Sequence, residues 1–180
     1  MSSARTATAT AATGMALVPP AAFALAAVGQ RLLARRKKPA RQCSDAEHGK
    51  AAEPERRRRR GGRRVLSVGV GAASIGLLVA GASELGAAET TLDPRHPSQT
   101  SALVTTGVFD ATRNPLYLGL AGLLVAHALW LRSGRALVPA GGFVLAIDQL
   151  QIPAEEAALA EKFGRAYRAY CEQVPRWLLR

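Results

Sequence analysis

The chain has 180 residues, enough for one domain; 48% are hydrophobic, 21% are charged, and the net charge is +11. A mean hydropathy of +0.05 would suit a soluble protein, but apolar residues and charges are sorted into separate blocks, which excludes an ordinary soluble domain. The basic excess would suit nucleic-acid binding, but it is concentrated in one stretch, Arg31 to Arg64, with 14 Lys/Arg against 4 Asp/Glu and no aromatic residue to stack a base, a pattern that suits a topology signal or anionic-lipid contact better.

Residues 1–14 are rich in Ala, Thr and Ser and are expected to be a disordered tail. Residues 15–33 form a weak first transmembrane segment, opened by Pro19-Pro20 and closed by Gln30-Arg31. Residues 34–64 read as a basic disordered linker, because the like charges of "ERRRRRGGRR" repel one another. The clearest span is 65–83, which is uncharged. As a helix it would rise about 29 Å, close to the hydrocarbon thickness. Ala72, Gly76 and Ala80 recur at four-residue spacing and are expected to admit a neighbouring helix.

The connection 84–114 contains Asp93-Pro94, His96-Pro97 and Gly107 and is too long for a plain loop. Further spans follow at 115–131 and 136–152, joined by the turn "RSGR" into a membrane hairpin. Pro115 occupies the first helical position of the former. The last predicted helix, about 154–174, is amphipathic, with Leu159, Phe163, Tyr167, Tyr170 and Val174 on one stripe. The fold class is therefore all-α, an integral membrane bundle of about four transmembrane helices plus a C-terminal amphipathic helix. Residues 65–180 form its functional membrane domain.

The hairpin returns two polar sites to one membrane face. Arg113-Asn114 enter it, Glu155-Glu156 leave it, and Tyr117 lies one turn inside. Taken alone, Arg113 is an interfacial anchor, Tyr117 and Trp130 are belt aromatics, and Glu155-Glu156 are a solvated first turn. Together they offer a cation, an amide, a phenol and two carboxylates at the mouth of an apolar helix pair. S-adenosylmethionine fits that inventory: a glutamate for its ammonium, an arginine or backbone amides for its carboxylate, and apolar groups such as Leu103, Val104 and Phe109 around its adenine. His127 reads as a helix–helix hydrogen bonder, and Asp148 as an interfacial or pocket-rim residue. Cys43 and Cys171 read as free thiols, and no metal-ligand spacing is present.

"LVTTGVF…TRNPLYLGL" followed by "IPAEEAALAEKFGRAYRAYCEQVPRWL" resembles the isoprenylcysteine carboxyl methyltransferase family in its short bacterial form. Residues 103–178 carry the ordered motifs, and "TTLDPRHPS" is similar to the family's connector. The resemblance implies an S-adenosylmethionine-dependent membrane methyltransferase acting on a lipophilic small-molecule or lipidated substrate among membrane lipids. It implies a bacterial cytoplasmic membrane, with the cofactor site facing the cytoplasm. It assigns Val104, Thr106, Gly107, Arg113, Asn114, Tyr117, Glu155 and Glu156 to cofactor binding, and Arg113, Tyr117 and Glu156 to catalysis. Asn114 stands where many members have histidine, so it has no general-base role.

Two alternatives stand beside this reading. "EKFGRAYRAYCEQVPRWLL" also resembles the end of sterol reductases, which would make the chain an NADPH-dependent membrane reductase. A non-catalytic membrane protein with a basic lipid-binding linker is the other. Charge opposes the expected orientation. The 14 Lys/Arg of residues 31–64, with Arg132 and Arg135, put 16 on the linker side against 8 on the pocket side.

Overall fold

The computed structural model describes residues 18–35, 53–88 and 102–178. The readings of the tail 1–14 and of residues 36–52 fall outside the described residues, as does most of the connector before Ala102. Regular structure among the described residues is helical. The long helices are α1 (Val18–Arg35), α2 (Glu53–Ala87), α3 (Pro115–Leu131) and α4 (Leu137–Ala146). A π-helical turn, Ile147–Gln151, leads from α4 into α5 (Ile152–Phe163), and α6 (Arg165–Gln173) follows. Two short 3-10 turns, Gly107–Asp110 and Gly134–Ala136, precede α3 and α4.

Among the described residues, two stretches are long and apolar enough to cross a membrane: Gly61–Ala87 and the continuous Gly134–Phe163. α3 is apolar but shorter, at 17 residues.

α2 begins at Glu53, so the arginine run is helical rather than the tail end of a disordered linker. Arginine is a good helix former, and a like-charged pair costs only tenths of a kcal/mol on an exposed helix. The apolar span downstream has already nucleated the helix, and adding turns to an existing helix is cheap.

The face of α2 that meets α3 is also not the expected one. Ala72 and Gly76 are exposed, and a Cβ on Gly76 would meet nothing. The contact runs along Ser67, Gly71, Ser74, Leu78 and Gly81 instead, at alternating spacings of four and three. The Ser67 hydroxyl donates to the Ala126 carbonyl at 2.7 Å. A Cβ on Gly122 would collide with the Ser74 Oγ, and one on Gly119 would lie 2.7 Å from Leu78 Cγ. Gly81 packs against Leu116 and Pro115 at the other end, so the two helices are antiparallel. Ser74 returns its hydroxyl to the Val70 carbonyl at 2.7 Å, which hides its polarity within its own helix.

α1 packs antiparallel on α4. Phe23 meets Phe143 edge to face, with centroids 6.0 Å apart. Gln30 is fully buried and ties three elements together. Its amide donates to the Leu124 carbonyl at 2.8 Å and the Ala136 carbonyl at 2.9 Å. His127 Nδ1 lies 2.6 Å from Gln30 Oε1, the helix–helix bond expected of that histidine. Leu124, Phe143, Ile147 and Ile152 form the centre of the core.

The second leg of the hairpin and the last helix are expected from the sequence to be separate, but α4 runs into α5 without a stop at Pro153. Proline lacks an amide donor, and the wide π turn just before it loosens the ladder where that donor would be missed. The break falls later, at Gly164. Its φ of 52° is a conformation that favours glycine, and its amide caps α5 on the Ala160 carbonyl at 3.0 Å. The predicted helix 154–174 is therefore two helices, α5 and α6. With neighbours alternating in direction, the start of α1, the end of α2, and the starts of α3 and α5 gather at one end. The end of α1, Arg63-Arg64 and the α3–α4 turn gather at the other.

Candidate functional site

The site is built on the approach to α3. Pro115 starts the helix, so Arg113 and Asn114 project from its mouth. Thr112, nearly inaccessible, donates its hydroxyl to the Arg176 carbonyl at 2.9 Å. Asn114 Nδ2 donates to the same carbonyl at 3.1 Å, and the Arg113 amide donates to the Pro175 carbonyl at 3.0 Å. The segment after α6 is thereby strapped across the entrance to α3.

Arg113 is held from three sides. One terminal nitrogen, Nη1, lies 2.9 Å from Glu156 Oε1, 2.8 Å from Cys171 Sγ and 3.4 Å from the Tyr167 hydroxyl. Its Nε is buried and has no partner. A buried guanidinium N–H without an acceptor is costly, and it stands beside a cavity.

The two glutamates divide the work. Glu155 Oε1 accepts from the Tyr117 hydroxyl at 2.6 Å and from Gln151 Nε2 at 2.7 Å. Both bonds converge on one oxygen, so Oε2 is the atom left for a ligand. Glu156 is clamped instead. Arg113 takes Oε1, and Arg176 reaches it with Nε at 3.1 Å and Nη2 at 2.6 Å. Arg176 Nη1 also lies 3.2 Å from Asp148 Oδ1, which accepts from Trp177 Nε1 at 2.9 Å. The bonded Glu156 carboxylate, with Asp148 behind it, raises the Arg176 pKa above its usual value. Asp148 anchors the C-terminal strap instead of lining the pocket.

A cavity of about 520 Å³ lies between these groups, within the range of small-molecule sites. Arg113, Asn114, Tyr117, Glu155 and Glu156 form its polar wall, and Leu78, Leu85, Leu103, Val104 and Phe109 part of its apolar wall. The carbonyl of Phe109 accepts from the Tyr170 hydroxyl at 2.7 Å, which fixes the loop to α6. Burial pushes the Tyr170 phenol up to about 12 and raises Tyr167 as well, so both remain neutral phenols.

Six of the eight cofactor-assigned residues thus line one cavity. Thr106 and Gly107 do not. Thr106 Oγ1 donates to Glu84 Oε2 at 3.2 Å, and a Cβ on Gly107, whose φ is 60°, would collide with the Glu84 carboxylate. Both pin the loop to the end of α2. Arg176, Trp177, Gln151 and Glu84 carry site contacts that the sequence reading did not assign. Arg176 and Trp177 stood within the quoted C-terminal motif, which was the available signal. Cys171 is a free thiol. No metal-binding cluster of His, Cys, Asp or Glu occurs among the described residues.

A sequence model of the phospholipid methyltransferase family matches residues 63–166, which run from the arginine end of α2 past the glutamate pair. The chain belongs to the phospholipid methyltransferase family. A protein of Haemophilus influenzae, described as an uncharacterized protein, is 44% identical over 63 residues, covering 35% of this chain and 100% of that one. No solved structure matches the chain. Family membership implies a membrane methyltransferase acting on lipid-like substrates, and the apolar helices agree with it.

Proposed function

We propose that the chain is an S-adenosylmethionine-dependent methyltransferase of the isoprenylcysteine carboxyl methyltransferase type, acting on a lipophilic acceptor. The observation that carries this reading is the buried, unpartnered Nε of Arg113 on the wall of a cavity that also holds Glu155. That donor suits a carboxylate, and Glu155 Oε2 across the cavity suits an ammonium. An amino-acid zwitterion satisfies both at once, and the apolar wall of Leu103, Val104 and Phe109 suits a nucleoside.

S-adenosylmethionine would supply an electrophilic methyl group for in-line transfer to an acceptor atom, with the neutral thioether of S-adenosylhomocysteine as the leaving group. The chain's part is to bind, align and exclude water. Arg113 orients the carboxylate and Tyr117 fixes the rotamer of Glu155. Glu156 acts through Arg113 as a positioning residue. Asn114 holds the Arg176 carbonyl and so keeps the strap closed. Thr106 and Gly107 set the approach loop through Glu84.

Titration calorimetry on the detergent-purified full chain tests the reading. S-adenosylmethionine binds, NADPH does not, and Arg113→Leu abolishes the heat. Binding of NADPH alone, or of neither cofactor by folded protein, overturns it. Labelled methyl transfer into lipid extracts then identifies the acceptor.

The cofactor is made inside cells, so the cavity faces the cytoplasm in this reading, against the charge rule. A membrane-impermeant thiol reagent on intact cells labels Cys43 and spares Cys171. The reverse pattern overturns the orientation.

A further inference from the structure

The end of the bundle away from the cavity carries a second chemical feature. Arg31 and Arg35 end α1, Arg63 and Arg64 lie on α2, and Arg132 and Arg135 flank the α3–α4 turn. All six are exposed. The fold draws them together. The bond from Gln30 to the Ala136 carbonyl brings Arg31 beside the turn that holds Arg135. The Arg64 guanidinium lies over the Trp130 ring, 5.8 Å from its centroid and two residues before Arg132. The turn itself is fixed, because Arg132 takes a left-handed φ of 54° and caps α3 on the Leu129 carbonyl at 3.1 Å.

No ion pair joins any of the six to a carboxylate among the described residues. Glu53 and Glu55 are the nearest acids along α2, about 12 Å further from the bundle by helical rise. By contrast, Glu84, Asp148, Glu155 and Glu156 lie at the cavity end. The arginines also border exposed apolar side chains. Leu32 and Leu66 are more than half exposed, and so are Val65, Trp130 and Val138. Each apolar group sits within a turn of an arginine, so the cations lie at the edge of a surface that demands hydrocarbon.

We propose that this arginine-rich end is a binding site for the phosphodiester headgroups of anionic phospholipids. Guanidinium forks match phosphate oxygens bidentately and are more weakly hydrated than ammonium, so they suit an interfacial phosphate. Trp130 supplies the amphipathic ring that settles at headgroup depth. The acyl chains lie along the exposed faces of α1, α2 and α4. A nucleic acid offers the same phosphates but nothing for Val65, Leu66 and Val138 to meet. The site rests on the membrane reading alone and is independent of methyl transfer.

Trp130 reports on it directly. The full chain carrying Trp177→Phe is reconstituted in vesicles of phosphatidylcholine and phosphatidylglycerol, with bromine on one lipid or the other at equal mole fraction. Brominated phosphatidylglycerol quenches Trp130 as though enriched about fivefold at the protein surface, a factor expected from even one arginine near an anionic headgroup. Arg64→Gln/Arg132→Gln/Arg135→Gln removes the preference, while the corresponding triple lysine variant retains most of it. Glycerol phosphate in solution does not displace the lipid. Equal quenching by both lipids overturns the proposal, as does a preference that survives the triple glutamine variant with helix content intact. Displacement of the lipid by a single-stranded oligonucleotide overturns it too.

Discussion

The two ends of the bundle handle charge in opposite ways. At the cavity end Arg113 and Arg176 are inside the structure, each pinned to a carboxylate, and every bond restricts a rotamer. At the other end six arginines stand exposed, with no carboxylate partner among the described residues. Paired, partly buried charges hold a shape, which a small-molecule site requires. Unpaired cations at an apolar edge hold no shape but attract whatever anion the surroundings supply. The same residue type serves either purpose, and only its partners distinguish them.

The largest expected effect comes from breaking the ordered end. Arg113→Leu leaves Glu156 with one cation fewer and removes the buried Nε, so methyl transfer and cofactor affinity fall by about 100-fold or more. Radiolabelled transfer and calorimetry read the two losses separately. Next is the helix contact that brings α2 to the cavity. Gly122→Val forces a side chain onto Ser74 and destabilises the fold by about 1–3 kcal/mol, measured by denaturant titration of the helix signal in detergent. Gly76→Val, on the open face of α2, leaves that midpoint almost unchanged. Tyr117→Phe removes one 2.6 Å bond to Glu155 and weakens cofactor binding roughly tenfold, with little effect on turnover at saturation. Smallest is the effect of the exposed end on the ordered one. Arg132→Gln with Arg135→Gln changes cofactor affinity by less than about twofold. The two ends lie about 30 Å apart by helical rise, several Debye lengths of about 8 Å.

The mouth of the cavity was legible in the sequence because its signals are local. Proline at the first helical position fixes where α3 begins, and a charge just before it has nowhere to go but the mouth. The glutamate pair was legible by the length of the hairpin. The strap was not, because Thr112 and Asn114 donate to the Arg176 carbonyl and the Arg113 amide to that of Pro175, and a carbonyl has no sequence signature. The α2–α3 face was misassigned because small residues were sought at a strict spacing of four. The actual seam alternates four and three, and two of its members are serines whose hydroxyls are satisfied within the bundle. The helical arginine run escaped a reading that weighed repulsion and not the span it extends.

The π turn at Ile147–Gln151 has a consequence for the site. Each residue advances a helix by about 100°. Wound as an ordinary α-helix, the same five residues Ile147–Gln151 would swing Glu155 and Glu156 away from Arg113 by about that angle. The wide turn therefore sets where the glutamates point, and its phase is as much a part of the site as its carboxylates.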